Sequence, residues 1–139
     1  MAGRFRSFIL FAEMRTGSNF LESNLNEFPD IECLGEVFNP HFVGYPKNDN
    51  LLGFDLKRLE SDPYSLLEAM QIEYQGRIPG FRFFNDHDPR VFDHCIADRT
   101  CAKIILSRNP LESYVSRKIA SQTGQWKLTD LKHKRSAKA

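Results

Sequence analysis

Short apolar runs and amphipathic helical stretches take turns along this chain, and that alternation restricts its possible folds more than any other feature. Phe5 to Ala12 is rich in β-forming residues, stops at a polar segment and reads as a buried strand. Leu21, Leu25 and Phe28 then recur at i, i+4, i+7, one face of a helix closed by Pro29. Residues 31–38 (IECLGEVF) read as a second strand, and residues 39–50, rich in Pro, Gly and Asn, as a loop. Asp62 as N-cap and Pro63 at the first helical position open a helix to Tyr74, with Leu66, Leu67 and Met70 on its face. Residues 77–84 make a third strand with Phe81, Phe83 and Phe84 at its core, and residues 88–98 a short helix carrying Val91, Phe92, Cys95 and Ile96. Residues 102–107 (AKIILS) form a fourth, continuous apolar strand of the kind covered on both faces. Asn109-Pro110 starts a last helix whose expected buried stripe is Leu111, Val115 and Ile119. The order predicts an α/β fold with a parallel sheet flanked by helices on both faces, in one domain over residues 1–139.

The bulk numbers exclude more than they identify. Hydrophobic residues are 41%, charged residues 27% and the net charge +1, so neither disorder nor a general polyanion-binding role is supported and no nucleic-acid partner is expected. The exception is the basic tail at 127–139, where Lys127, Lys132, Lys134, Arg135 and Lys138 face only Asp130; it reads as a solvated, frayed helix end. Cys33, Cys95 and Cys101 are far apart and form no CxxC, which argues against a disulfide framework or a zinc site and for a reducing compartment. No run approaches membrane-spanning length, and the apolar stretch after Arg4 and Arg6 is too short for a secretory signal, so a cytoplasmic location is expected.

In parallel sheets ligands sit at the carboxyl ends of strands, so the segments after each strand carry the chemistry. After the first comes Arg15-Thr16-Gly17-Ser18-Asn19-Phe20. Gly17 permits a tight turn, the helix start presents free N–H groups, and Thr16, Ser18 and Asn19 add hydrogen-bonding groups. Arg15 adds a planar cationic fork suited to tetrahedral oxyanions. The segment is built to hold a phosphate-like group, yet it is not a nucleotide P-loop, because no Gly-Lys pair occurs in the chain. After the fourth strand, Arg108 stands at the same sheet edge, and Ser113, Ser116 and Arg117 share one helix face opposite the Leu111/Val115 stripe. One ligand with phosphates at both ends would bridge the two segments.

At these residues the chain resembles the sulfotransferase family that uses 3'-phosphoadenosine 5'-phosphosulfate. Residues 15–20 resemble that family's 5'-phosphosulfate loop, with Met14 where a proline is usual and Asn19 in place of a hydroxyl residue. Residues 108–116 (RNPLESYVS) are similar to its 3'-phosphate motif, an arginine followed eight residues later by a serine, here Arg108 and Ser116. The likeness is nearest to bacterial carbohydrate-type enzymes such as those modifying nodulation factors, lipopolysaccharide or trehalose, where a glutamate resembling Glu36 of "GEVFNP" lies near an aromatic residue. The resemblance implies a P-loop-NTPase-like architecture, with this chain covering only the donor-binding part of a family domain. It also implies the donor as co-substrate, no metal, and a small-molecule or carbohydrate acceptor.

By the same resemblance, Arg15 and the loop N–H groups stabilise the transferring group, while Arg108 and Ser116 grip the 3'-phosphate. Glu36 is the candidate base, its pKa expected to be raised by partial burial. His87, in "NDHD" after the third strand, is the competing base, or else an acceptor-binding or helix-capping residue. His94 is expected on a helix surface, and His41 and His133 join no constellation. Trp126, Tyr45 and Phe42 are candidates for ring stacking, with core or lid packing as the plainer role. Two other readings stay open: a nucleotide kinase-like phosphate-binding enzyme, and a truncated non-catalytic relative that binds nucleotide or a partner. Homo-oligomerisation is a further possibility if apolar surface is left uncovered.

Overall fold

The structure is a computed structural model, and it describes residues 5–125. The basic tail, Arg4, Trp126 and His133 therefore lie outside the described residues. Eleven elements follow in chain order: β1 (Ser7–Phe11), α1 (Ser18–Leu25), β2 (Ile31–Cys33), β3 (Asn50–Leu51), β4 (Phe54–Asp55), α2 (Leu56–Ser61), α3 (Tyr64–Glu73), β5 (Ile78–Phe83), α4 (Pro89–Ala97), β6 (Cys101–Ile105) and α5 (Pro110–Thr123).

β2, β5, β1 and β6 form a four-stranded parallel sheet in that spatial order. Phe8–Phe11 run beside Gly80–Phe83 on one side and beside Ala102–Ile105 on the other. The chain moves outward to β2, returns to β5, then crosses to the far side of β1 for β6. The connections that leave the neighbouring strands β1 and β5 thus run in opposite directions, and ligands bind at the crevice such a pair leaves. Ile9, Val37, Phe38, Leu66, Met70, Phe81, Phe83 and Val91 form the buried core. Cys33, Cys95 and Cys101 are all buried free thiols.

The helix starts follow their side chains. Asp62 accepts hydrogen bonds from the N–H groups of Tyr64 (3.0 Å) and Ser65 (3.3 Å), and Asp88 accepts from Arg90 (3.0 Å). Asn109 accepts from the Leu111 N–H at 2.9 Å.

Five expectations need correction. The second strand stops at Cys33, because Gly35 takes φ +77° and turns the chain out of the sheet. The first helix stops at Leu25, and Phe28 is exposed. The fourth strand is an edge strand covered on one face only, with Ile105 78% exposed. The last helix is turned about its axis relative to expectation: Leu111, Val115 and Ile119 are exposed, whereas Ala120 is buried and Ser113 and Ser116 are half-buried. Finally, residues 50–61 hold the β3–β4 hairpin and α2, where the sequence reading ended in loop; Asp55 caps α2 through the Arg58 N–H at 2.8 Å.

Candidate active site

The segment after β1 folds as an open cradle of backbone N–H groups, the geometry expected of an anion site. Arg15 adopts φ +63° and Gly17 φ +91°, both left-handed, so the backbone doubles back before α1 begins. α1 has no side-chain cap. Its first N–H groups, from Ser18 to Phe20, lack intrahelical acceptors and point off the helix end. The Thr16 hydroxyl donates to the Glu13 carbonyl at 2.7 Å, which fixes the turn. Ser18 departs from the simple reading: it is buried, and its hydroxyl faces inward, where Arg82 donates to it at 3.2 Å. Only its backbone faces the cradle. Phe20 is 76% exposed on the outer side of α1.

The two sequence motifs meet. Arg15 Nε donates to Ser116 Oγ at 2.8 Å, across 101 residues. Arg108 Nη1 donates to the Arg15 carbonyl at 2.8 Å, and Ser113 Oγ donates to the same oxygen at 3.4 Å. Arg108 also pairs with Glu112 at 3.7 Å. A cleft of about 640 Å³ opens beside them at the carboxyl ends of β1, β5 and β6, lined by Thr16, Ser107, Arg108, Ser113, Tyr114 and Arg117 among others. Hydroxyls and the guanidiniums of Arg108 and Arg117 converge there, and the carboxylates of Glu13 and Asp86 line the same cleft.

Glu36 stands behind the cradle. A Cβ on Gly35 would lie 2.3 Å from the Gly44 carbonyl, so only glycine fits where the chain turns to present Glu36. Glu36 exchanges backbone hydrogen bonds with Gly44 and accepts from Asn39 Nδ2 at 3.2 Å. Its carboxylate lies 3.5 Å from His87 Nε2 and 3.7 Å from Arg82 Nη2. Burial raises its pKa, as expected from the sequence, but His87, Arg82 and Asn39 together outweigh burial, and the net shift is downward. The expected rise is therefore corrected: Glu36 is a carboxylate at neutral pH because cationic and N–H groups surround it.

His87 is fully buried against Phe83 and Phe84. Its Nδ1 accepts from the Phe84 N–H at 3.3 Å, which assigns the ring proton to Nε2, facing Glu36. Among the described residues, Arg82 Nε and His87 Nε2 are buried polar atoms without a hydrogen-bond partner. Arg82 and Glu22, both buried and 3.3 Å apart, were absent from the sequence-level site. His94 and His41 are exposed, Tyr45 donates to Glu22, and Phe42 is half-buried. No group of three or more metal-ligating side chains occurs among the described residues, and no described helix is long and apolar enough to cross a membrane.

Fold and site together define an α/β protein with a polar cleft at the carboxyl edge of a parallel sheet. Comparison with known proteins narrows this. The chain is 34% identical to nodulation protein H of Rhizobium tropici over 121 residues, which is 86% of this chain and 48% of that protein. It is 31% identical to nodulation protein H of Rhizobium meliloti over 127 residues, 87% of this chain and 50% of that protein. The chain spans about half the length of the curated relatives it matches. These relatives are nodulation proteins, in line with the nodulation-factor group to which the sequence resemblance pointed. No family model and no solved structure matches the chain.

Proposed function

We propose that this chain carries the donor-binding portion of a sulfotransferase, which moves a sulfuryl group from 3'-phosphoadenosine 5'-phosphosulfate to a hydroxyl of a carbohydrate-like acceptor. The observation that carries the reading is the junction of Arg15 with Ser116 and of Arg108 with the Arg15 carbonyl. It ties the turn before α1 to the α5 segment, beside a cleft that Thr16, Arg108 and Ser113 line directly while Arg15 and Ser116 stand just outside its lining.

In such a transfer the acceptor oxygen forms a bond to sulfur as the bond from sulfur to the bridging phosphate oxygen breaks. The bisphosphate leaves with that electron pair. Charge builds on the bridging and sulfonate oxygens, where Arg15 and the α1 N–H groups supply preorganised stabilisation. Arg108 and Ser116 hold the 3'-phosphate once the nucleotide displaces their contacts with Arg15. Glu36, already ionised, takes the acceptor proton. His87 is a poor base at Nε2, since that nitrogen carries the proton; it is better suited to orient Glu36 or an acceptor hydroxyl. A second cleft of about 450 Å³ is lined by Asn39, Lys57, Glu60, Asp86 and His87 among others, and Asp86 also borders the first cleft. This second cleft is the acceptor side in our reading.

Calorimetric titration with adenosine 3',5'-bisphosphate and with magnesium-ATP tests the proposal. Tighter binding of the bisphosphate supports it. Equal or tighter binding of ATP contradicts it and favours a kinase-like site.

A further inference from the structure

Arg82 lies in the middle of an apolar strand and is 3% exposed. A guanidinium is rarely buried so completely unless its partners require it. Its Nε lies 3.3 Å from Glu22 Oε2, its Nη1 3.2 Å from Ser18 Oγ, and its Nη2 3.7 Å from Glu36 Oε2. Its backbone N–H donates to the Gly35 carbonyl at 2.8 Å. One buried cation therefore touches the first turn of α1 and both the backbone and side chain of the Glu36 segment.

The surrounding charges make this arrangement responsive. Glu22 and Glu36 share the single guanidinium. Tyr45 donates to Glu22 at 3.2 Å, Asp86 lies 3.8 Å from His87 Nε2, and the same nitrogen lies 3.5 Å from Glu36 Oε1. With two carboxylates drawing on one cation in a low-dielectric interior, whatever attracts the guanidinium toward α1 weakens its hold on Glu36. Of its two α1 contacts, Glu22 and Ser18, the second is the residue at which the cradle becomes helix.

We propose that Arg82 is a positioning residue that couples the anion cradle to Glu36, so that filling the cradle makes Glu36 a stronger base. The inference rests on the donor and base roles proposed above. An anion at the α1 start adds negative charge beside Ser18 and draws Arg82 in that direction. Glu36 is then less stabilised as a carboxylate and holds a proton more tightly. The base would gain strength only when the donor is in place.

The test follows the Glu36 carboxyl by carbon NMR through a pH titration of the full chain, free and with adenosine 3',5'-bisphosphate. In the wild type the nucleotide is expected to raise the Glu36 midpoint by about half a unit or more, roughly a threefold gain in proton affinity. In R82Q the free-protein midpoint rises and the nucleotide-driven shift disappears; R82K restores part of it. E22Q, which leaves Arg82 wholly to Glu36, lowers the free-protein midpoint and decides the matter if R82Q does not fold. With a merely structural arginine, the nucleotide's own charge would shift Glu36 as much in folded R82Q as in the wild type. A Glu36 midpoint unmoved by bound nucleotide, or unchanged in folded R82Q or E22Q, overturns the proposal. Failure of the wild type to bind the nucleotide contradicts the donor reading instead, and the free-protein comparison among the variants then decides the place of Arg82 on its own.

Discussion

At the residue scale, the position of Glu36 depends on a neighbour with no side chain. Gly35 combines φ +77° with a space already filled by the Gly44 carbonyl and the Tyr45 ring. Gly35→Ala should cost about 1–3 kcal/mol in denaturant unfolding and displace Glu36 from His87. The ionisation of Glu36 gives a second expectation. Its folded pKa is depressed, so its contribution to stability is present above the ordinary glutamate value of about 4.3 and is lost as pH falls through the folded value. The stability gap between wild type and E36Q should therefore be widest near neutrality and close toward pH 3 in urea titrations. Arg15 and Arg108 were legible in the sequence because each sits just past a strand end, and Ser116 because it follows Arg108 by eight residues. Arg82 was not, since a cation within an aromatic strand carries no local mark of its partners. Glu22, Ser18 and Glu36 come to it from 46 to 64 residues away, through tertiary packing alone.

At the element scale, strands and helices were largely readable, and the errors share a cause. Periodicity locates a helix and its two faces but does not say which face turns inward. α5 presents Leu111, Val115 and Ile119 on one side and Ser113, Ser116 and Ala120 on the other. Hydrophobicity favours burying the first, yet Ser116 and Ser113 bond to Arg15 and seat the second. Two substitutions test this orientation. Leu111→Ser should change stability by less than about 0.5 kcal/mol, as at an exposed site. Ala120→Leu, despite adding apolar area, should cost about 1–3 kcal/mol through overpacking. The caps behave more simply: Asp88→Ala should cost about 1 kcal/mol by removing the acceptor of the first α4 N–H groups. The β3–β4 hairpin escaped the sequence reading because two-residue strands have no period to detect.

At the scale of the molecule, the parallel sheet has a consequence that no single motif has. It sets β1 between β5 and β6, so loops from distant parts of the sequence end on one edge. The anion cradle, the Arg108 segment and the Asp86–His87 turn all meet there, and two clefts share Asp86 as a border. Close to this edge, Ile105 at the end of β6 and Leu111 at the start of α5 expose apolar surface. Replacing both with lysine should raise solubility without lowering the thermal midpoint. The joining of two phosphate-binding segments into one nucleotide site is the central claim, and its most direct test is calorimetry of adenosine 3',5'-bisphosphate against wild type, Arg108→Ala and Ser116→Ala. Each lost charge-assisted contact should weaken binding by about 10- to 100-fold for Arg108→Ala, with a smaller loss for Ser116→Ala, while the thermal midpoints stay close to wild type. Binding that is unchanged by either substitution would contradict the shared site and with it the assignment of the cleft.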